Sequence, residues 1–334
     1  MSVFKIFVTH DPGALENYYG QRALTALQSV ADVRVNHSYE PWTTESLAAA
    51  AKGCEIIISD RRAEGSAELF ERLPGLLAFC RCAVDIRNID VQAASRHGVL
   101  VTQASAGFMH SVAEWTIGVM VDLSRGISAA VAQYHNGVMP VPVMGRELRH
   151  STVGIIGYGQ IGRTLADLAL AFGMRVLVSD PYVQVHNSAI VQVPMGELLG
   201  RCDFVVCLAN ATTQTEKLMD AAAFSAMRPS AFFINPSRGD LVDEAALMHA
   251  LDSGFIAGCA LDVGRDPDQM PAKPLARHPR VIATPHIGGL TPQSTEHQSI
   301  ETVHQVTDLL QGRRPSGALN WEHAGRLQAL LARL

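Results

Sequence analysis

Residues 151–181 read STVGIIGYGQIGRTLADLALAFGMRVLVSDP, and this stretch constrains the fold more than any other. An apolar strand runs into Gly157, Gly159 and Gly162, a helix with one apolar face follows, and a second apolar strand ends at Asp180. In such a unit the first glycine permits a tight turn, the second lets a pyrophosphate approach the backbone, and the third lets helix and strand pack closely. The stretch therefore predicts a β-α-β unit that binds a dinucleotide at the N-terminus of its helix.

The end of the second strand indicates which dinucleotide binds. Asp180 can accept hydrogen bonds from the hydroxyls of the adenosine ribose. Pro181 and Tyr182 follow it, where an arginine would be needed to accommodate a 2′-phosphate. A carboxylate at this place repels that phosphate, so we predict NAD as the cofactor in preference to NADP.

Short β-rich runs alternate with helical patterns along the rest of the chain, which is typical of parallel α/β architecture. A long helical pattern over 111–134 and a loop with prolines and glycines separate two such series. The predicted strands are 4–9, 33–36, 55–59, 76–80 and 99–102 in the first series, and 152–156, 175–179, 204–208, 232–235, 256–261 and 281–284 in the second.

The last long helix indicates how the two series are connected. Thr291 is a candidate N-cap, Pro292 suits the first helical position, and Gly312 ends the pattern. With the second series finished, this helix has only the first domain left to cover. We therefore predict two Rossmann-like, doubly wound α/β domains, in which a cofactor domain over residues 104–286 is inserted into a discontinuous substrate domain over 1–103 and 287–334.

Composition limits the partners. The 334 residues carry a formal net charge of −5 with no cluster of lysines and arginines, which argues against nucleic acid or an anionic membrane. No apolar run approaches membrane-spanning length, and the first residues lack the pattern of a secretory signal. The six cysteines show no metal-ligand spacing. We expect a cytoplasmic protein that binds a small molecule and no metal.

Three polar groups follow strands of the second series, and ligands of open α/β sheets bind beyond the carboxyl ends of the strands. Arg238 follows 232–235, the aspartates of ALDVGRDPDQMP (260–271) follow 256–261, and His286 follows 281–284. Together they suit a 2-hydroxy acid site. The arginine would bind the substrate carboxylate with two parallel hydrogen bonds, the histidine would exchange a proton with the substrate oxygen, and a carboxylate would orient the imidazole.

These residues resemble the D-isomer-specific 2-hydroxyacid dehydrogenases, most specifically in VGIIGYGQIGR, in NPSRGDLVDEAAL with AGCALDV, and in TPHIGG. The resemblance implies the two-domain fold with a cleft between the domains, NAD as cofactor, a 2-keto or 2-hydroxy acid as substrate, and a homodimer formed through the cofactor domain. It makes Arg238 and His286 catalytic. The cofactor contacts that it adds to the glycine turn and Asp180 are Gln160, Ile161, Ala209, Pro236, Ser237, Arg238, Asp262, His286, Gly288 and Gly289.

The chain departs from the family's pattern in three places. The catalytic glutamate that precedes a proline is replaced by Asp266, with Asp268 nearby as the alternative partner of His286 and Arg265 able to neutralise either one. The glycine-bracketed loop whose amides hold the substrate carboxylate is replaced by the segment 83–85. There we expect the Asp85 side chain to turn away from the substrate and pair with Arg87, which leaves the amides of Ala83 and Val84 available.

The third departure lies in ASAGFMHSVAEW, where Phe108 and Met109 replace small or polar residues. They form either part of a core or an apolar wall of the substrate pocket. Two kinds of enzyme fit the whole pattern, a glyoxylate/hydroxypyruvate-type reductase and a phosphoglycerate-type dehydrogenase. A non-catalytic NAD-sensing protein of the same fold is the alternative from another class, and the retained Arg238 and His286 argue against it. The tail over 321–334 is predicted as a short amphipathic helix.

Overall fold

The computed structural model describes residues 4–332, apart from the side chain of Asp268. The chain divides into two compact units. Unit 1 contains the residues up to Phe108 and from Thr291 onward, and unit 2 contains Met109–Leu290. The chain passes between the units a few residues after the predicted boundaries. Which unit receives the substrate stays a prediction.

The described residues form strands and helices in regular alternation. The strands are β1 (Lys5–Val8), β2 (Asp32–Val35), β3 (Ile56–Ser59), β4 (Ala78–Arg81), β5 (Leu100–Gln103), β6 (Thr152–Ile156), β7 (Arg175–Ser179), β8 (Ile190–Gln192), β9 (Phe204–Cys207), β10 (Phe232–Asn235), β11 (Gly258–Leu261) and β12 (Val281–Ala283). The helices are α1 (Pro12–Tyr18), α2 (Gln21–Val30), α3 (Thr44–Ala50), α4 (Ala67–Arg72), α5 (Val91–Arg96), α6 (Met109–Arg125), α7 (Ile127–His135), α8 (Gln160–Ala171), α9 (Met195–Arg201), α10 (Ala221–Ser225), α11 (Glu244–Asp252), α12 (Lys273–Ala276), α13 (Pro292–Leu310) and α14 (Gly325–Leu331). Within residues 4–332, no helix combines the length and the apolar character needed to cross a bilayer.

Unit 1 is built on a parallel sheet with the strand order β2-β1-β3-β4-β5. Successive side chains of a strand point to opposite faces, so β3 serves two cores. Ile56 and Ile58 pack with residues of α2 and α13, whereas Ile57 packs with residues of α3, α4 and α5. The sheet is therefore covered by helices on both faces, as predicted for a doubly wound domain.

Helix α13 confirms the prediction that the last long helix returns to the first domain. The Thr291 hydroxyl accepts a hydrogen bond from the Ser294 amide at 3.3 Å, and Pro292 is the first helical residue. Val303 and Val306 are buried in the core of unit 1. This helix completes the discontinuous domain.

The described part of the tail also belongs to unit 1. Leu327 of α14 is buried in the same core as α13. The Arg326 guanidinium donates hydrogen bonds to the carbonyls of Leu73 at 2.7 Å, of Leu76 at 3.1 Å and of Phe70 at 3.1 Å. The tail therefore stabilises the carboxyl end of α4, whose last carbonyls lack partners within the helix.

Unit 2 is a parallel sheet with the order β12-β11-β10-β9-β6-β7-β8. Its strands pair in the Rossmann order, with one further strand beyond the sixth. The edge strand β8 was not predicted. The predicted helix over 111–134 is interrupted at Gly126, which has a φ of +64° in the left-handed region and separates α6 from α7. Glycine adopts that conformation at no steric cost, so the break follows from the residue itself.

Candidate active site

The glycine turn between β6 and α8 has the geometry that a dinucleotide requires. Gly157 has a φ of +97°, and a Cβ there would lie 2.7 Å from the Leu208 carbonyl oxygen. A Cβ on Gly162 would lie 2.3 Å from the Gly157 oxygen, whereas the space beside Gly159 is open. No side chain in the described part of the chain caps α8. Its first amides, around Gln160 and Ile161, can therefore bind a pyrophosphate.

Asp180 connects the glycine turn with the loop after β7. Its Oδ2 accepts a hydrogen bond from the Tyr158 amide at 2.7 Å, and its Oδ1 accepts from the amides of Tyr182 at 2.8 Å and Val183 at 3.1 Å. A carboxylate offers about four acceptor positions, so these bonds leave about one for a ribose hydroxyl. The preference for NAD over its 2′-phosphorylated form, which rests on the charge of this carboxylate, stays a prediction.

A side-chain hydrogen bond joins the end of β9 to the turn after β10, and Asn235 fixes that turn. The Ser237 hydroxyl donates to the Ala209 carbonyl at 2.9 Å. The buried Asn235 amide donates to the Arg238 carbonyl at 2.9 Å, and its oxygen accepts from the Ser237 amide at 3.1 Å. Asn235 thus fixes the turn that contains Pro236, Ser237 and Arg238. Sequence reasoning missed this residue, although an asparagine at a strand end is a signal for a turn of this kind.

Gly239 brings the Arg238 turn against the segment that follows β11. A Cβ on Gly239 would lie 2.3 Å from the carbonyl of Gly264, so the two backbones pack directly on each other. A Cβ on Gly264 would lie 2.5 Å from the Met270 oxygen, which belongs to the same segment. The contact at Gly239 fixes the distance between Arg238, whose guanidinium donates to the Ser237 carbonyl at 2.7 Å, and the segment that contains Asp262 and Asp266.

Asp262 organises the loop that carries His286. The residue is 1% exposed, and its carboxylate accepts from the Thr284 hydroxyl at 2.6 Å, the Ile287 amide at 2.8 Å and the Gly288 amide at 2.7 Å. The His286 amide donates to the Asp262 carbonyl at 2.9 Å, and His286 has a φ of +58°. A non-glycine residue in this region is strained, and the surrounding bonds hold it there. Asp262 is therefore a positioning residue for His286, and its predicted contact with the cofactor stays a prediction.

The structure leaves the partner of His286 as a prediction. Asp266 precedes the short turn Pro267–Gln269 and is half-buried, but its side chain makes no capping hydrogen bond to that turn. The side chain of Asp268 lies outside the described residues. Arg265 lies 3.6 Å from the Glu216 carboxylate and donates to the Asp240 carbonyl at 3.2 Å, and its ability to neutralise Asp266 or Asp268 stays a prediction.

In unit 1, the predicted substrate loop follows β4. The Asp85 carboxylate accepts from the Arg87 guanidinium through Nε at 3.0 Å and through the terminal nitrogen at 2.7 Å, which is the predicted pair. The Ala83 carbonyl accepts from the Ala104 amide at 3.1 Å, and Val84 is half-buried. Phe108 and Met109 are both half-buried where the chain leaves unit 1, so their role in a substrate pocket stays a prediction.

Arg81 at the end of β4 was missed. It is 4% exposed and donates to the carbonyls of Asp85 at 2.9 Å and Ser59 at 3.1 Å. Burial lowers the pKa of its guanidinium from the usual value. An arginine at a strand end was treated as a candidate in the second series only, and the same signal was present in CRCAVDIR.

A second group that sequence reasoning missed lies at the ends of β1 and β3. The Asp60 carboxylate accepts from the Thr9 hydroxyl at 2.9 Å and from Arg62 at 3.2 Å, and Arg62 also pairs with Asp11. His10 is 2% exposed, and burial lowers its pKa to about 4. Within the described residues its Nδ1 has no hydrogen-bond partner. The segments 9–11 and 60–62 are far apart in the chain and meet because β1 and β3 are neighbours in the sheet.

Comparison with known proteins shows what the chain is similar to. Residues 117–288 match the family model for the NAD-binding domain of the D-isomer specific 2-hydroxyacid dehydrogenases. The D-3-phosphoglycerate dehydrogenase of Rattus norvegicus is 32% identical over 280 residues, which cover 83% of this chain and 52% of the relative. The apo-structure of D-lactate dehydrogenase from Escherichia coli aligns with a TM-score of 0.82 and 25% identity, covering 94% of this chain and 99% of that one. The TT0316 protein of Thermus thermophilus aligns with a TM-score of 0.84 and 27% identity over 94% and 99% of the chains.

The chain belongs to the D-isomer specific 2-hydroxyacid dehydrogenase family. It contains the NAD-binding domain of that family. The matched range includes the unit 2 site residues described above, from Gly157 to Gly288. The chain spans about half the length of the curated relatives that it matches.

Proposed function

We propose that the protein is an NAD-dependent oxidoreductase that interconverts a small 2-keto acid and its D-2-hydroxy acid, as a glyoxylate/hydroxypyruvate-type reductase does. One observation carries the proposal. The buried Asp262 holds the strained His286 loop at the same sheet edge as the Arg238 turn and the glycine turn. A backbone held in a strained conformation by a buried carboxylate supports a functional role for the side chain displayed there.

Each residue has a defined task in this proposal. Arg238 binds the substrate carboxylate with its planar guanidinium and polarises the carbonyl. The His286 imidazole donates its proton to the carbonyl oxygen during reduction and takes a proton from the hydroxyl during oxidation. Bound NAD(H) supplies or accepts the hydride. Asp266 is proposed to orient the imidazole, with Asp268 as the alternative.

From unit 1 we assign the substrate carboxylate to the amides of Ala83 and Val84. The Asp85–Arg87 pair supports this assignment, because a paired carboxylate repels an anionic substrate less than an unpaired one. Phe108 is proposed as an apolar wall of the pocket, which suits a small substrate side chain.

A phosphoglycerate-type activity is the second candidate within enzymes, since relatives that are 32% identical carry that name. It would require positive charge for a phosphate. In unit 1, the guanidinium of Arg62 pairs with Asp11 and Asp60, and that of Arg87 pairs with Asp85. These carboxylates neutralise charge that a phosphate would need, so the unphosphorylated substrate is favoured.

The decisive experiment is an NADH oxidation assay with glyoxylate, hydroxypyruvate, pyruvate and 3-phosphohydroxypyruvate, with dinucleotide binding measured by fluorescence in parallel. We expect turnover with at least one unphosphorylated acid. In Arg238→Gln we expect a loss of turnover much larger than any loss of NADH affinity, since this residue is also expected to contact the cofactor. A higher kcat/KM for the phosphorylated acid would favour the second candidate. Binding of NADH without turnover of any acid would indicate an NAD-sensing protein instead.

We also propose that the protein is a homodimer formed through unit 2. The support is an exposed apolar segment over residues 138–144, in which Val141, Val143 and Met144 are 79%, 85% and 96% exposed. Exposed apolar surface of this kind marks an interface, and a second copy of the chain is the simplest partner for it. Light scattering should give a dimer for the wild type and a monomer for the double variant Val141→Asp, Met144→Asp. A wild-type monomer would overturn the proposal.

The cytoplasm is the proposed compartment. The six cysteines are all buried and free, as expected in a reducing environment. Recovery of the native protein in the cytosolic fraction of its source cells would support this assignment, and recovery outside the cytosol would contradict it.

A further inference from the structure

The loop between β7 and β8 is held by one side chain. Gln192, the last residue of β8, donates through Nε2 to the Asp180 carbonyl at 3.0 Å and to the Val183 carbonyl at 2.8 Å. Its Oε1 accepts from the Val185 amide at 3.0 Å. The side-chain amide thus binds three backbone groups of one loop, although Gln192 itself is exposed to solvent.

The same loop fixes the carboxylate of Asp180. Two of the three amides that donate to this carboxylate, those of Tyr182 and Val183, belong to the loop that Gln192 holds. Val183 links the two systems, because its amide donates to Asp180 and its carbonyl accepts from Gln192. A change in the loop backbone would therefore change the orientation of the carboxylate.

We propose that Gln192 is a positioning residue that sets the preference for NAD over NADP. The inference rests on the proposed function and on the prediction from the sequence that Asp180 faces the adenosine ribose. A ligand with a 2′-phosphate must turn the carboxylate aside, and the bonds from Gln192 keep the loop from yielding. Exclusion of the wrong ligand requires a repulsive group that stays in place.

Removing these bonds should relax the discrimination without abolishing dinucleotide binding. Gln192→Met keeps the length of the side chain and removes all three hydrogen bonds. Gln192→Glu keeps the acceptor for Val185 and places carboxylate oxygens against two carbonyls. Val191→Ala is the matched control, because Val191 is the neighbouring residue of β8 and is half exposed.

The measurement is the ratio of the dissociation constants for NADPH and NADH, from fluorescence titration without turnover. Since a hydrogen bond contributes about 1 kcal/mol, we expect the ratio to fall about fivefold in Gln192→Met and at least as much in Gln192→Glu. The fall should come mainly from tighter NADPH binding, and Val191→Ala should keep the wild-type ratio within about twofold. Thermal unfolding of each variant reports whether the fold is retained.

The possible outcomes distinguish failure of the role of Gln192 from failure of the proposed function. A wild type that prefers NADH while both Gln192 variants keep its ratio would overturn the role of Gln192 and leave the proposed function intact. Equal weakening of NADH and NADPH in the variants would also overturn it, because that result indicates general support of the loop. A wild type that binds neither dinucleotide would overturn the proposed function and this inference together.

Discussion

The carboxyl edges of the two sheets use their acidic side chains differently. In unit 2, the carboxylates of Asp180 and Asp262 bond mainly to backbone amides and so determine the shape of loops. In unit 1, the carboxylates of Asp60 and Asp85 pair with arginines at the same edge. The first arrangement fixes where functional side chains are displayed, whereas the second keeps a group of charges balanced. An acidic residue at a strand end therefore indicates a functional site only when its hydrogen-bond and ion-pair partners are known.

The largest expected effect distinguishes a histidine of each edge. Asparagine tolerates the left-handed backbone of His286 but does not transfer protons, so His286→Asn should lower kcat by about 10²- to 10⁴-fold with the folded structure retained. His10→Asn should leave kcat within about twofold, since the proposed chemistry does not involve it. Steady-state kinetics of both variants check this. A comparable loss of kcat in His10→Asn would show that His10 itself takes part in the reaction.

The second prediction concerns stability below neutral pH. His10 lies among Asp60, Arg81, Arg62 and Asp11, and burial lowers its pKa from 6.5 to about 4. Between these two pH values the unfolded chain binds a proton at His10 that the folded chain does not bind. The contribution of the neutral His10 to the free energy of unfolding is therefore complete above pH 6.5 and decreases as the pH falls towards 4. This histidine alone should cost about 2 kcal/mol on going from pH 7 to pH 5.

Urea unfolding of the wild type and His10→Asn at both pH values isolates that contribution. The variant should lose less stability than the wild type by about the same amount. Identical losses in the two proteins would mean that His10 is not the group responsible, and that the edge of unit 1 tolerates its protonation.

The third prediction tests Asp180, the carboxylate of unit 2 that we expect to face the adenosine ribose of the cofactor. The wild type should use NADH at least about tenfold better than NADPH in kcat/KM, and Asp180→Ala should narrow that ratio because the repulsive charge is removed. The ratio for each protein comes from assays with the preferred 2-keto acid. Equal use of both cofactors by the wild type would contradict the assignment of Asp180.

The fourth prediction decides between the two candidate partners of His286. Asp266→Asn should lower kcat about tenfold, because the imidazole loses its orienting carboxylate, while Asp268→Asn should not. The reverse result would identify Asp268 as the partner. If both variants keep the wild-type kcat, His286 is oriented by its strained loop alone.

The smallest effect is expected at the neutralised carboxylate of unit 1. Because Asp85 is paired with Arg87, Asp85→Asn should leave KM for the preferred 2-keto acid within about twofold. A large fall in KM would instead show that the charge of Asp85 repels the substrate. The carboxylate of Asp85 would then affect substrate binding directly, and the two sheet edges would differ less in the use of their acidic residues than the contacts indicate.

Features that depend on neighbouring residues were predictable from the sequence. The glycine turn, the N-cap at Thr291 and the strands β6, β7 and β10 follow from local pattern, and the Asp85–Arg87 pair joins residues two apart. The three-residue strand β8 was missed because it is too short to show a period. The interactions of Asp262 and His10 were missed because their partners are distant in the chain and converge only when the strand order is known.

The direct backbone contact between Gly239 and Gly264 has a consequence for the evolution of the chain. A side chain at Gly239 would clash with the Gly264 carbonyl, and one at Gly264 would clash with the Met270 oxygen, so either residue could change only if the neighbouring backbone moved. Saturation mutagenesis should therefore find almost no tolerated replacement at these two positions, but several at Gly196, where a side chain meets open space. We therefore expect substrate preference to change through substitutions in other loops more readily than through substitutions in the turn that contains Arg238.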